Sequence, residues 1–346
     1  MKRLVTWGGV ALSAILLYWI LTTFDLAKAA EVISQAHVGW LIASAVVYGA
    51  LFTLRGWRWA VLLRPVKAVS AVRCFEVFTI GFMANNILPA RLGDVARAYV
   101  LARQAKLPTA SSFSSVMLER IFDGVTVVLF LNIVLFVQPT SDVWINSVRT
   151  LSGAVFVGAI VVCGLIAWRE QTVLALVRAV FSFAPEGLRT RVEGLVARLS
   201  AGLHSLRSPS QTATVIALSI LIWTIETSVY VLAGYAFGLD IGFMGMVLVM
   251  AVLTLGLSVP SAPGFVGVFE GLIITAVGLY GITGDRAFAI ALTVHLIHFI
   301  PGTLLGLIFA WRSGLQLTEL SAAGESPAEP IAADAAIHPD VIAGSQ

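Results

Sequence analysis

Apolar runs recur along the chain, several of them close in length to a bilayer crossing and bounded by polar stretches that carry most of the arginines. They extend over Leu4 to Thr23, Trp40 to Leu54, Val125 to Val137, Leu151 to Trp168, Thr214 to Phe237 and Phe288 to Trp311. About 20 predominantly apolar residues carry a helix across roughly 30 Å of hydrocarbon. The runs therefore predict membrane-spanning helices. The alternating strands and regular turn spacing of an outer-membrane barrel are absent.

Two stretches break the pattern. Cys74 to Lys106 reads as an apolar arm to Leu88, a break over Pro89-Ala90-Arg91-Leu92-Gly93-Asp94, and a second arm with Arg97 and Arg103. Phe243 to Gly281 reads as an arm to Val259, a break over Pro260-Ser261-Ala262-Pro263-Gly264, and an arm holding Glu270. Arms of about 15 residues are short for a crossing. Proline cannot continue a helix, and a break at membrane depth survives only inside protein or beside a water-filled cavity. Both stretches are expected to be re-entrant helical hairpins, entering from opposite sides.

The predicted fold is an all-α membrane protein with about six full transmembrane helices plus two re-entrant hairpins. The halves, about 1–140 and 141–312, form an inverted repeat. Eight ordinary kinked spans are the alternative. Between the halves, 170–211 is basic and amphipathic and predicts one or two helices on the cytoplasmic surface. Residues 313–346 turn to Ala, Glu, Ser, Pro and Asp and predict a disordered cytoplasmic tail.

Composition removes the soluble alternative: 58% of the 346 residues are hydrophobic and 12% charged, against about 25% charged in soluble domains. The net charge of +3 is strung between spans and is no nucleic-acid signal. Two cysteines, Cys74 and Cys163, give no disulfide framework, zinc site or redox pair. No cofactor or metal is expected. Lys2, Arg3, the Arg55 to Arg73 cluster, the Arg169 to Arg207 cluster and Arg312 fall on one side, leaving only Lys28, Arg149 and Arg286 on the other. Basic loops stay cytoplasmic, so both termini are expected inside a bacterial or archaeal plasma membrane. The first run is read as a retained helix; a cleaved signal peptide ending near Ala27 to Ala30 is its rival.

Ionisable side chains at membrane depth cost roughly 2.5–3.5 kcal/mol each on insertion scales, so those present need partners or a polar ligand. Asn85, Asn86, Arg91, Asp94 and Arg97 surround the first break, with Glu119, Arg120 and Asp123 on the following span. Glu226, Glu270, His295 and His298 form the second-half set. Arg91, Asp94 and Arg97, three apart, share a helix face. Their guanidiniums suit a phosphodiester, and the asparagine amides suit freed backbone groups or ligand oxygens. The alternative is that these charges neutralise one another and lock the hairpin. Arg55-Gly56-Trp57-Arg58-Trp59 reads as an interfacial anchor, with headgroup recruitment by Arg55 and Arg58 as the second option. His295 and His298, on one face of the last span, serve packing, hydrogen bonding or proton handling. Glu226 and Glu270 are expected to pair with a buried Arg or His, Glu270 with Arg91 or Arg120 in particular. No phosphate-binding, nucleotide or nucleophile loop is present; Gly264-Phe265-Val266-Gly267 lies in a membrane break.

The run Gly81-Phe82-Met83-Ala84-Asn85-Asn86-Ile87-Leu88-Pro89-Ala90-Arg91-Leu92-Gly93-Asp94-Val95-Ala96-Arg97 resembles a signature of the lysylphosphatidylglycerol synthase transmembrane-region family, a flippase-like group. Leu118-Glu119-Arg120-Ile121-Phe122-Asp123 and the run from Ser258 through Pro260, Pro263, Gly264 and Gly267 to Glu270 resemble its second and third motifs. Asp94 stands where the family usually has Glu, and Phe265 where a second Gly is common. The resemblance, over about Met1 to Arg312, implies movement of a lipid between leaflets, with the motif residues at the lipid. Its two-domain members also make an aminoacylated lipid in a separate domain; with the chain ending soon after Arg312, that activity is not expected here. The expected substrate is an anionic or aminoacylated phospholipid or another polar lipid, and the expected protein partner a second copy or a lipid-synthesising enzyme. A membrane-embedded headgroup transferase is the alternative.

The topology is testable by cysteine accessibility in intact cells. Positions 28, 149 and 286 should label from outside, and 64, 189 and the C-terminus from inside only. Labelling of position 189 from outside would overturn the orientation and the inverted repeat with it.

Overall fold

The computed structural model describes residues 2–88, 92–139, 143–182, 186–187, 189–190, 193–194, 208–258, 262–315 and 320. The regular elements among them are helical: α1 (Lys2–Thr23), α2 (Leu26–Ser34), α3 (Val38–Leu63), α4 (Ala71–Ile87), α5 (Leu92–Ala105), α6 (Thr109–Val137), α7 (Val143–Val180), α8 (Pro209–Ala236), α9 (Gly242–Gly256), a 3-10 turn (Pro263–Phe265), α10 (Val268–Gly278) and α11 (Gly284–Arg312). Among the described residues α3, α6, α8 and α11 are long and apolar enough to cross a membrane, and the α1–α2 pair, bent by 80°, is a fifth candidate.

The breaks follow local chemistry. Leu88, before Pro89, is extended at ψ 146°, and Ala262, before Pro263, at ψ 160°; proline's ring disfavours the helical region for the residue ahead of it. Asp25 bends the first run by capping α2, its Oδ1 accepting from the Ala27 and Lys28 amides at 2.9 and 3.2 Å. Gly264, Phe265 and Gly267 hold positive φ angles of 70°, 59° and 84°. Phe265 thus occupies a left-handed conformation that glycine adopts without steric cost, at the position where the resembling family carries a second glycine.

Two boundaries differ from the sequence reading. α6 begins at Thr109, well ahead of the apolar run Val125 to Val137, because its polar first turns satisfy themselves: the hydroxyls of Ser114 and Ser115 donate to the carbonyls of Ala110 and Ser112 at 2.9 and 2.6 Å. α7 runs from the Leu151 to Trp168 stretch into the connecting segment as far as Val180, kinked at Arg169 (φ −140°, ψ 46°). Most of the remaining connection and the expected tail lie outside the described residues.

Packing is regular across the two halves. α3 lies along α8, where the buried Ser44 hydroxyl donates to Val229 O at 2.8 Å. α3 packs on α4 as α8 packs on α9; α4 lies against α11 as α9 lies against α6; α5 packs on α6 as α10 packs on α11. Small residues let backbones approach, as membrane packing requires. A Cβ on Gly306 would lie 2.6 Å from Thr79 O on α4, and one on Gly302 2.6 Å from the Phe82 ring. Inside the first hairpin, a Cβ on Gly93 would fall 2.0 Å from Gly81 O, and one on Gly81 2.6 Å from Arg97 Cβ.

Gly93→Ala should therefore push the hairpin arms apart. Overpacking costs roughly 1–3 kcal/mol, and here the obstacle is backbone that cannot rotate away. A lower Tm in detergent is expected, while Gly153→Ala, with nothing within 4 Å of the new carbon, should leave Tm unchanged.

Candidate functional site

Six charges from three helices, α3, α5 and α6, meet behind the first hairpin. Asp94 and Arg97, one turn apart on α5, form an ion pair at 3.2 Å. Arg97 reaches Glu119 on α6 with both terminal nitrogens, at 3.3 and 3.2 Å. Its guanidinium lies over the Trp59 and Phe78 rings, 5.0 and 4.7 Å from their centres. Arg58 on α3 contacts Glu119 at 3.5 Å and Asp123 at 2.6 Å, and donates to Ser219 Oγ on α8 at 2.9 Å. Asp123 also accepts from Trp223 Nε1 at 3.1 Å. Arg120 pairs with Asp94 at 3.2 Å. Arg58, Arg97 and Glu119 are fully buried; Arg120 keeps 38% of its side chain exposed.

The second-half set is built on α11. His295 Nδ1 lies 2.5 Å from Glu270 Oε1, and its Nε2 lies 2.8 Å from Gly264 O at the hairpin tip. Glu270 Oε2 accepts from the Gly267 amide at 2.7 Å. One turn along, His298 Nδ1 lies 2.8 Å from Val294 O and its Nε2 lies 3.3 Å from Glu226 Oε1. Glu226 in turn pairs with Arg55 on α3 at 3.0 Å. A carbonyl oxygen only accepts, so Nε2 of His295 and Nδ1 of His298 each carry a hydrogen. α1 braces the same tip, where Ser13 Oγ accepts from the Ala262 amide at 2.9 Å.

A cavity of about 160 Å³ opens between the two sets. Asn85, Asn86, Asp94 and Arg120, with Arg55 from α3, form its first-half wall, and Glu226, His295 and His298 its second-half wall. Tyr48, Tyr230, Phe265 and Phe269 are among its aromatic lining. Asn86 donates to Thr303 Oγ1 on α11 at 2.9 Å. Among the described residues, Asn85 Oδ1 and Arg120 Nε are buried without a hydrogen-bond partner, a costly state away from water.

The cavity gathers eight of the residues singled out in sequence. Arg97, Glu119 and Arg58 stand behind its wall, paired with one another. Gly93 serves the close approach of α5 to α4, and Gly264 offers its carbonyl to His295. Pro263 opens the 3-10 turn. Pro89, Arg91 and Pro260 lie outside the described residues. Two expectations are corrected. Arg55 and Arg58 are not interfacial anchors: α8 covers that end of α3, leaving Arg58 and Trp59 fully buried, though Trp57 beside them stays exposed. Glu270 pairs with His295 rather than with Arg120, because its own helix α10 packs on α11. The aromatic lining was missed. Tyr230 one turn from Glu226, and Tyr48 two turns from Arg55, carry the helical spacing that marks it.

A protein-family model described as the lysylphosphatidylglycerol synthase TM region matches residues 6–306. The glycosyltransferase AglD of Haloferax volcanii is 27% identical over 327 residues, which cover 86% of this chain and 52% of AglD. The chain thus spans about half of that relative. Two proteins called UPF0104 membrane proteins, both from Methanothermobacter thermautotrophicus, are 25% and 27% identical, with 90% and 83% of their lengths covered. No solved structure matches.

Glu119 is the acid that both buried guanidiniums share. Removing one member of a buried pair costs roughly 3–5 kcal/mol by stranding its partners. Glu119→Ala should lower Tm sharply and Glu119→Gln less so, since the amide still accepts one hydrogen bond. Equal Tm for Glu119→Ala and wild type would show the network to be dispensable for folding.

Proposed function

The chain belongs to the lysylphosphatidylglycerol synthase TM region family, and from that premise we propose that it carries a polar lipid between membrane leaflets. The headgroup passes through the cavity between the two broken segments while the acyl chains stay in hydrocarbon. The observation that carries this reading is the wall itself: Asn85, Asn86 and Asp94 beside the first break meet Glu226, His295 and His298 around one space, with Phe265 and Phe269 of the second broken segment lining it. Ionisable groups kept there serve a polar pathway or each other. Arg58, Arg97 and Glu119 serve each other, whereas Arg55, paired with Glu226, and Arg120, paired with Asp94, also line the cavity.

Transporter sites lie where inverted repeats bring interrupted helices together. Exchanging the two halves maps the helix pairs described above onto themselves, with α3–α8 as the self-equivalent pair. That pattern, with the loop charges, supports the inverted repeat and cytoplasmic termini. Asn85 and Asn86 supply amides for headgroup oxygens, and Arg120 supplies the charge at the first break.

A second reading takes its support from the name of one relative, a glycosyltransferase. Under it the same cavity holds a lipid acceptor for a sugar, and chemistry requires a donor site in addition.

Reconstitution separates the two. Liposomes holding the purified protein should move a fluorescent short-chain phosphatidylglycerol between leaflets with no donor present. Arg120→Ala should slow this about tenfold to a hundredfold, the kinetic equivalent of losing a charge-assisted hydrogen bond worth about 1.5–3 kcal/mol. Asp94 and Asp123 keep Arg97 and Arg58 as partners, so the variant is expected to fold. Movement no faster than in protein-free liposomes would overturn the translocation reading. Sugar transfer to the lipid on adding a nucleotide-sugar would favour the second.

A further inference from the structure

The described part of the polar interior does not balance in charge. Four guanidiniums, of Arg55, Arg58, Arg97 and Arg120, meet five carboxylates, of Asp94, Glu119, Asp123, Glu226 and Glu270. One further proton makes this cluster neutral, and two make it cationic. The protons have two places to sit. Each histidine already spends one ring nitrogen on a carbonyl oxygen, Gly264 O for His295 and Val294 O for His298. Only the nitrogen facing a glutamate varies, so each histidine–glutamate pair holds one exchangeable proton or none.

The two pairs differ in geometry. At 2.5 Å, His295 Nδ1 and Glu270 Oε1 need a hydrogen between them, since two lone pairs repel at that distance. That pair therefore keeps its proton and makes the cluster neutral. His298 and Glu226 stand 3.3 Å apart, and Glu226 is independently held by Arg55 at 3.0 Å. This pair can exist with or without its proton. The groups facing it are Arg55 and Tyr48 from α3 and Tyr230 from α8, with His295 on its own helix. Asp94 from α5 and Arg120 from α6 stand on the opposite wall, while α4 presents the uncharged Asn85 and Asn86.

We propose that the cavity takes a monoanionic phosphate ester together with one proton, and that the proton goes to the His298–Glu226 pair. This rests on the reading of the cavity as a headgroup site. A phosphodiester that draws the Arg55 guanidinium to itself leaves Glu226 as an uncompensated charge in a low-dielectric space, which is strongly unfavourable. Protonation of His298, 3.3 Å from Glu226, gives the carboxylate a cationic partner and frees Arg55 to turn to the phosphate. Lipid and proton then bind with positive coupling, and each raises affinity for the other by the same factor.

Calorimetry on the full chain in detergent tests this, with dihexanoyl-phosphatidylglycerol as probe and buffers of different ionisation enthalpy. Wild type should take up about one proton per lipid bound, with affinity falling by up to about tenfold per pH unit through the linked range. His298→Gln should bind more weakly with no proton uptake and a flat pH profile, and Glu226→Gln should likewise lose the uptake should the histidine variant fold poorly. Inorganic phosphate serves as the second ligand. Competition by it with the same uptake would place the recognition in the phosphate alone, whereas failure to compete would place it in the lipid. Wild-type binding without proton uptake would overturn this proposal and leave the headgroup site standing. No binding of either ligand would overturn both.

Discussion

A guanidinium at membrane depth must touch a carboxylate, and that requirement organises the whole first half of the molecule. Glu119 lies between Arg58 and Arg97, so it fixes α6 against α3 and α5 together. The position of Arg97 in turn depends on Gly81, whose missing side chain leaves room for the arginine stem to cross α4. The hairpin is thus held by electrostatics at its back and by a backbone contact at Gly93. Hydrophobic burial alone would not choose this register, because lipid tails solvate leucine as well as protein does.

The second half solves the same problem with histidine in place of arginine. An imidazole is smaller, donates and accepts, and changes charge under mild conditions. His295 ties the tip of the second hairpin to α11 through Gly264 O and Glu270 at once. One hairpin therefore rests on permanent charges and the other on protonable ones. The two meet at a single cavity, so the site joins a fixed wall to an adjustable one.

Much of this was legible in the chain. The interrupted segments are announced by Pro89 and Pro263, and the residues before them are extended as proline demands. The ionisable residues were legible as a set because so few occur in apolar runs. Their pairing was not. Arg58 reads as an interfacial anchor because Trp57 and Trp59 flank it, and only the packing of α8 along α3 shows that this end of the helix is interior. Glu270 could be assigned to any nearby cation until α10 was seen to lie on α11. Partners across long separations depend on tertiary packing, which local spacing does not encode. The left-handed backbone at Phe265 was signalled only by the family resemblance, in which a glycine is common there, since the residue type itself argues against it.

The seating of α4 against α11 through Gly302 and Gly306 has a consequence for biosynthesis. The first hairpin's outer arm is made early, and the helix it packs against is the last membrane element in the described chain. At about 5–20 residues per second, translation leaves α4 without that neighbour for on the order of ten seconds or longer. Over that interval Asn86 has no Thr303 to bond and the glycine-lined groove does not yet exist. The nascent hairpin must shelter its polar break against α3 and α6 alone, or stay with the insertion machinery until α11 emerges. Final assembly of the first half is therefore a late event that awaits the end of the second.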